Sequence, residues 1–137
     1  LAKKREVFGN TVRFLPYQPK EDLPYSLTSG DASIVSVKEG SGGLCVSSKI
    51  YTSMATGKPV LVISKSDDDE ARIIKKNNAG EQAEQGRTEK ITKIIKKWKN
   101  NPALGKKQGY NARKSFEKKY TKEKSIQKYY EVLKKDS

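Results

Sequence analysis

An open parallel α/β sheet covered by helices on both faces is the fold class this chain predicts, on three observations. Short β-branched runs alternate with stretches of helical periodicity. The run Pro59-Val60-Leu61-Val62-Ile63 is continuously aliphatic, as a strand buried on both sides requires. Gly- and Ser-rich turns separate strands from following helices, where right-handed crossovers begin.

The elements follow in chain order. Leu1 to Glu6 reads as the end of a helix stopped by Gly9-Asn10. Thr11-Val12-Arg13-Phe14-Leu15 reads as a short strand ended by Pro16. Lys20 to Thr28 reads as a helix, with Pro24 acceptable only in its first turn. Ala32 to Val37 is the next strand, followed by the turn Glu39-Gly40-Ser41-Gly42-Gly43. Ser47 or Ser48 can cap a helix running to Thr56, and Gly57 closes it. After the aliphatic strand, Ser66-Asp67-Asp68-Asp69-Glu70 places acidic residues in the first turn of a helix ending near Asn77-Asn78. Gly80 to Glu84 reads as a weak edge strand.

Three helices complete the pattern. Thr88 caps the first, whose Ile91, Ile94, Ile95 and Trp98 recur at i, i+3, i+4, i+7. Asn101-Pro102 opens the second, with Pro at the first helical position. Thr121 caps the third, whose Ile126, Tyr129, Tyr130 and Leu133 repeat the spacing. Both stripes read as core contacts rather than ligand-stacking groups for Trp98 or Tyr129. Tyr110, Phe116 and Tyr120 also read as core.

Composition narrows the chemistry. A chain of 137 residues supports a single domain, here 1–137. Hydrophobic and charged residues make up 34% and 33%, with mean hydropathy −0.85, and no apolar run is long enough to span a bilayer. No secretory-signal pattern stands at Leu1. The single Cys45 excludes an intramolecular disulfide and fits a reducing compartment. Histidine is absent, which excludes a His-based triad or His-ligated zinc site within the chain. Residues 1–86 carry 12 Lys+Arg against 11 Asp+Glu, whereas residues 87–137 carry 17 against 5. Such asymmetry fits an anionic partner, nucleic acid or an anionic membrane surface, and equally the solvated faces of lysine-rich helices.

In sheets of this class ligands lie beyond the carboxyl ends of the strands. The turn from Lys38 to Lys49 is the leading candidate. Its glycines let a ligand approach the backbone, and the following helix offers free N–H groups and a positive dipole end to an anion. It is neither GxxxxGK[ST] nor GxGxxG.

These residues carry a resemblance. Val12-Arg13-Phe14-Leu15-Pro16-Tyr17-Gln18-Pro19, Asp31-Ala32, the Gly-rich turn, Ser48-Lys49-Ile50-Tyr51, Met54-Ala55-Thr56-Gly57-Lys58-Pro59-Val60, Gly80-Glu81 and Asn111-Ala112-Arg113 together resemble the family-four retaining glycosyltransferases. The likeness is strongest to the branch that makes bacterial surface polysaccharides, including capsule and exopolysaccharide. It implies one Rossmann-like half of a GT-B fold, the C-terminal donor-binding domain. An N-terminal acceptor domain and the first strand of this domain would lie outside the chain. By this resemblance Ser41, Gly42, Gly43, Leu44, Ser48 and Lys49 would hold the donor diphosphate and sugar. Thr52, Tyr17 and Gln18 would lie near ribose and base.

Two departures stand out. Family members carry a glutamate before the Gly-Leu of the turn and another in the following helix, where this chain has Gly42 and Thr52. Glu39 could replace the first only by loop rearrangement, so no catalytic residue is assigned within the chain. The implied reading is a nucleoside-diphosphate sugar as donor, no cofactor and no metal. A sugar or lipid-linked acceptor would be met through the absent domain. Localisation would be cytoplasmic, with peripheral contact at the inner membrane face. The alternative reading is a basic α/β module that binds nucleic acid or an anionic membrane through residues 87–137.

Overall fold

The computed structural model describes residues 11–13, 15–37 and 46–135. A 3₁₀ turn at Lys20–Asp22 leads into α1 (Leu23–Thr28), with Pro24 in its first turn as required. Then come β1 (Ser33–Ser36), α2 (Lys49–Ala55), β2 (Val60–Ile63), α3 (Asp69–Asn77) and β3 (Gly80–Ala83). Helices α4 (Thr88–Asn100), α5 (Pro102–Lys119) and α6 (Lys122–Lys135) follow. The strands form a parallel sheet in the order β1-β2-β3. Val35 pairs with Val62 and Val62 with Gln82.

The central strand is covered on both faces, as its sequence demands. Val60 and Val62 point to one side and meet Ile50 and Met54 of α2, Ile74 of α3 and Ala112 of α5. Leu61 points to the other and meets Ile94 and Trp98 of α4, beside Ala83. Val60, Leu61 and Val62 have no exposed surface. Each such side chain withdrawn from water contributes roughly 1.5–3 kcal/mol. Helices therefore cover both faces, and the expected fold class holds.

Edge strand β3 is held by polar contacts. Trp98 Nε1 donates to Gln108 Oε1 at 2.7 Å, and Gln108 Nε2 donates to Glu81 Oε1 at 3.2 Å. Lys97 Nζ closes the network on the same Glu81 oxygen at 2.8 Å. A buried indole N–H left without an acceptor would cost the full desolvation of that group, so Gln108 fastens α5 to α4 at this edge.

Helix α5 also closes the amino-end rim of the sheet. Arg113 Nη1 donates to the Ala55 carbonyl that ends α2, at 2.6 Å. Asn111 Nδ2 donates to the Asn78 carbonyl just past α3, at 3.1 Å. Gly109 lies against the Gly57-Lys58 turn so closely that a Cβ there would stand 2.2 Å from the Gly57 oxygen. Gly57 itself has φ of 72°, the left-handed conformation that terminates α2.

Several expectations are corrected. Thr11 to Leu15 is not a strand in its described residues; Val12 and Leu15 are exposed, and no described strand pairs with them. A strand needs a neighbour for its ladder, and here none is supplied. Arg87 rather than Thr88 occupies the cap position of α4. Ile95 is 48% exposed, although Ile94 and Trp98 are core as expected. The stripe of α6 is not core: Ile126, Tyr129, Tyr130 and Leu133 are all exposed, because the helix packs against α5 alone among its substantial neighbours. Tyr110 is likewise exposed, while Phe116 and Tyr120 pack on the core.

The close approach of α5 makes a paired prediction. Gly109→Ala should lower stability by at least about 2 kcal/mol, because the obstructing atom is backbone. Gly105→Ala meets nothing nearer than Pro59 Cγ at 3.8 Å and should raise stability by up to about 1 kcal/mol through helix propensity. Urea midpoints of the two variants check both signs.

Candidate functional site

At the carboxyl rim the sequence offers Ser47 and Ser48 as the entry to α2, and both lie there. Ile50 and Met54 are fully buried against the sheet, which turns Ser48, Lys49 and Thr52 outward into solvent. Thr52 lies four positions after Ser48 and three after Lys49, spacings that put it beside each of them on the helix surface. Ser48 occupies the cap position but its hydroxyl makes no capping bond. Thr52 Oγ1 reaches the Ser48 carbonyl at 3.5 Å. Lys49 takes part in no ion pair among the described residues. The surface thus combines two hydroxyls and an ammonium, groups that recognise anions and polyols.

Glu39, Ser41, Gly42, Gly43 and Leu44 lie outside the described residues. Tyr17 and Gln18 are not brought to α2. The Tyr17 side chain stands wholly in solvent at 103% exposure, and Gln18 Nε2 donates to the nearby Pro16 carbonyl at 2.9 Å.

The structure adds residues that the sequence did not single out. Glu70, in the first turn of α3, is only 2% exposed. Its Oε1 accepts the Ser47 N–H at 2.6 Å, across 23 residues of chain. A carboxylate therefore already sits at the start of α2, where helix N–H groups favour negative charge. The Ser47 amide is thereby already taken, which leaves Lys49 as the described group to meet an incoming anion. Gln82 Nε2 donates to the Ser64 carbonyl at 2.7 Å, and Gln85 Nε2 donates to the Val37 carbonyl. These amides tie the ends of the strands together. Lys65 N–H is taken by Asp68 Oδ2 at 3.0 Å, which folds the turn between β2 and α3.

Tyr51 lies beneath this surface, its ring 5.0 Å from that of Tyr120. Burial, then Tyr120, then Glu70 and Asp69 raise its phenol above the ordinary 10.0. A separate hollow of about 690 Å³ opens between the end of β3 and the start of α4, lined by Glu84, Gly86, Arg87, Thr88, Glu89, Lys90 and Lys93. None of the described candidate site residues lines it.

Comparison with known proteins adds a second line of evidence. The profile of the family described as Glycosyl transferases group 1 matches residues 1–115. Over 69 residues, 50% of this chain, the sequence is 33% identical to "Probable glycosyltransferase WbjE" of Pseudomonas aeruginosa. That match spans 17% of the relative's length. No solved structure matches the chain.

Two measurements test the geometry of the rim. Glu70→Ala strands the Ser47 amide and should cost about 2 kcal/mol, whereas Glu70→Gln keeps an acceptor and should recover roughly half. Equal losses from the two, read by urea unfolding, would count against the hydrogen bond. For Tyr51 the folded state favours the neutral phenol. Its contribution is complete below the ordinary 10.0 and lost as pH rises through the raised folded value. Tyr51→Phe should therefore flatten the fall in stability above pH 10 relative to the parent.

Proposed function

Because the chain belongs to the Glycosyl transferases group 1 family, whose profile covers residues 1–115, we propose that it is the donor-binding part of a retaining glycosyltransferase. The whole protein would use a nucleoside-diphosphate sugar to build a polysaccharide or glycoconjugate. The observation that carries this reading is the pairing of that family match with an outward-facing Ser48, Lys49 and Thr52 on the helix after β1. In an open parallel sheet that rim is where ligands bind.

The chemistry asks for charge stabilisation. Breaking the bond between the anomeric carbon and phosphate leaves negative charge on the departing nucleoside diphosphate. Preorganised donors lower the barrier when they face that charge. On this reading Lys49, the Ser48 hydroxyl and the backbone of Ser41 to Leu44 supply them. Glu70 keeps the entry to α2 in place and acts on the donor only through that positioning. Thr52 would bond a ribose hydroxyl more weakly than a carboxylate does, since charge-assisted hydrogen bonds are the stronger kind. Tyr17 and Gln18 would reach the donor only after rearrangement of their segment. The acceptor would be met outside this chain. The family match favours this reading over a nucleic-acid-binding module, which is supported by charge alone.

Calorimetry with UDP and GDP provides the test. At least one should bind at millimolar concentration or below. Lys49→Ala should weaken that binding about two- to fivefold, as loss of an exposed charge does. Thr52→Glu should strengthen it about tenfold by giving ribose a charged acceptor. Absence of binding by either nucleotide at millimolar levels would overturn the assignment.

A further inference from the structure

Helix α2 has only 7 residues, too few to hold its orientation without partners. Ile50 and Met54, one turn apart, seat a single stripe of it on the sheet. Such a stripe fixes where a helix lies but leaves its rotation about its own axis loosely set. Ser48, Lys49 and Thr52 turn with that rotation, because no side-chain bond of theirs reaches another element among the described residues. At roughly 100° per residue Tyr51 falls between the buried stripe and this outward surface. Its half-buried ring meets that of Tyr120, with centroids 5.0 Å apart and planes inclined at 41°. Tyr120 caps α5, the one helix with which α2 makes substantial contact. It is held in turn from several sides. Its N–H donates to the Phe116 carbonyl at 2.8 Å, and Asn77 Nδ2 of α3 donates to its hydroxyl at 3.5 Å. Lys119 Nζ donates to Asn77 Oδ1 at 2.8 Å, and Lys128 Nζ of α6 stands 5.9 Å from the centre of the Tyr120 ring.

We propose that Tyr120 is a positioning residue for donor binding, setting the rotation of α2 through Tyr51 and so the direction in which Lys49 and Thr52 face. This role rests on the reading of Ser48, Lys49 and Thr52 as donor-binding groups. Glu70 and Arg113 hold the two ends of α2, by the Ser47 N–H and the Ala55 carbonyl. Tyr51 is the side chain through which a further element steadies the turn between those ends. Aromatic rings prefer tilted or offset pairing to a face-to-face stack. A Tyr120 plane held from α3, α5 and α6 therefore gives Tyr51, and the helix that carries it, a preferred angle. Groups that bind a ligand lose much of their effect when displaced by about 1 Å, so a small rotation of α2 is enough to matter. Tyr120 itself is not part of the outward surface. It acts through Tyr51 alone, and that separates it from a residue that merely fills the core, whose loss would lower stability without changing where Lys49 points.

Calorimetry of the 137-residue chain with UDP and GDP, on variants shown to be folded by circular dichroism, tests this role. Tyr120→Ala should weaken binding of whichever nucleotide the parent takes at least about fivefold, and Tyr120→Phe, which keeps the ring, should stay within about twofold of the parent. Tyr120→Leu keeps apolar bulk without the ring pair; it should weaken binding in the same direction and carries the test where the alanine variant does not fold. Tyr51→Ala should lose about as much, and the double variant no more than either single one, because both act through one contact. Ile94→Val loosens the opposite face of the core and should leave affinity unchanged. Full affinity in the folded Tyr120→Ala or Tyr120→Leu variant, while Lys49→Ala weakens binding, would overturn the positioning role and leave the donor reading standing. Additive losses from Tyr51 and Tyr120 would also overturn it, as would an equal loss from Ile94→Val. A parent that binds neither nucleotide would overturn the donor reading and this role with it.

Discussion

Helix α5 crosses the amino-end rim of the sheet at a separation that only glycine permits. With Gly109 against the Gly57 carbonyl, the helix comes near enough for Arg113 and Asn111 to take the carbonyls that end α2 and follow α3. Helix termini leave carbonyls that need partners, and these two crossovers get theirs from a single distant element. The same helix delivers Ala112 to one face of the core and Gln108 to the network around Trp98. Fixing the closed rim in this way leaves the opposite rim to turns and short polar ties. That division lets a ligand surface be remodelled there without disturbing the parts that hold the sheet.

The carboxyl rim has its own economy of polar groups. Three of its ties join a side chain to a main-chain group of a distant segment: Glu70 to Ser47, Gln82 to Ser64, Gln85 to Val37. None uses the outward groups of Ser48 or Lys49. These ties therefore leave the side chains of Ser48 and Lys49 uncommitted to the rim's own hydrogen bonding. With the Glu70 carboxyl already at the helix start, the pull on a second anion rests more heavily on Lys49.

The parts legible in sequence were those whose evidence is local. The aliphatic run of β2, the acidic opening of α3, and the Asn101-Pro102 start of α5 each state their structure within a few residues; Asn101 Oδ1 does accept the Leu104 N–H at 3.2 Å. The outward placement of Ser48, Lys49 and Thr52 follows from helical spacing once Ile50 and Met54 are buried. What depended on a partner elsewhere was not legible. Thr11 to Leu15 has strand composition, but pairing is decided by another segment. The α6 stripe has core periodicity, yet periodicity reports two faces and not what covers them. Glu70, Gln82 and Gln85 act across 23, 18 and 48 residues, distances at which no spacing rule operates.

Strand β1 shows a last consequence. Among the described residues it pairs with β2 alone, and Ile34 on it is 62% exposed. A strand margin left unpaired among the described residues is a template for the same margin of another molecule. Its alternation of Ser33, Ile34, Val35 and Ser36 carries no charge to discourage such growth. Concentrated solutions of this polypeptide should therefore thicken into β-rich aggregates sooner than its net charge of +13 suggests. A lysine in place of Ile34 is the natural remedy at the bench.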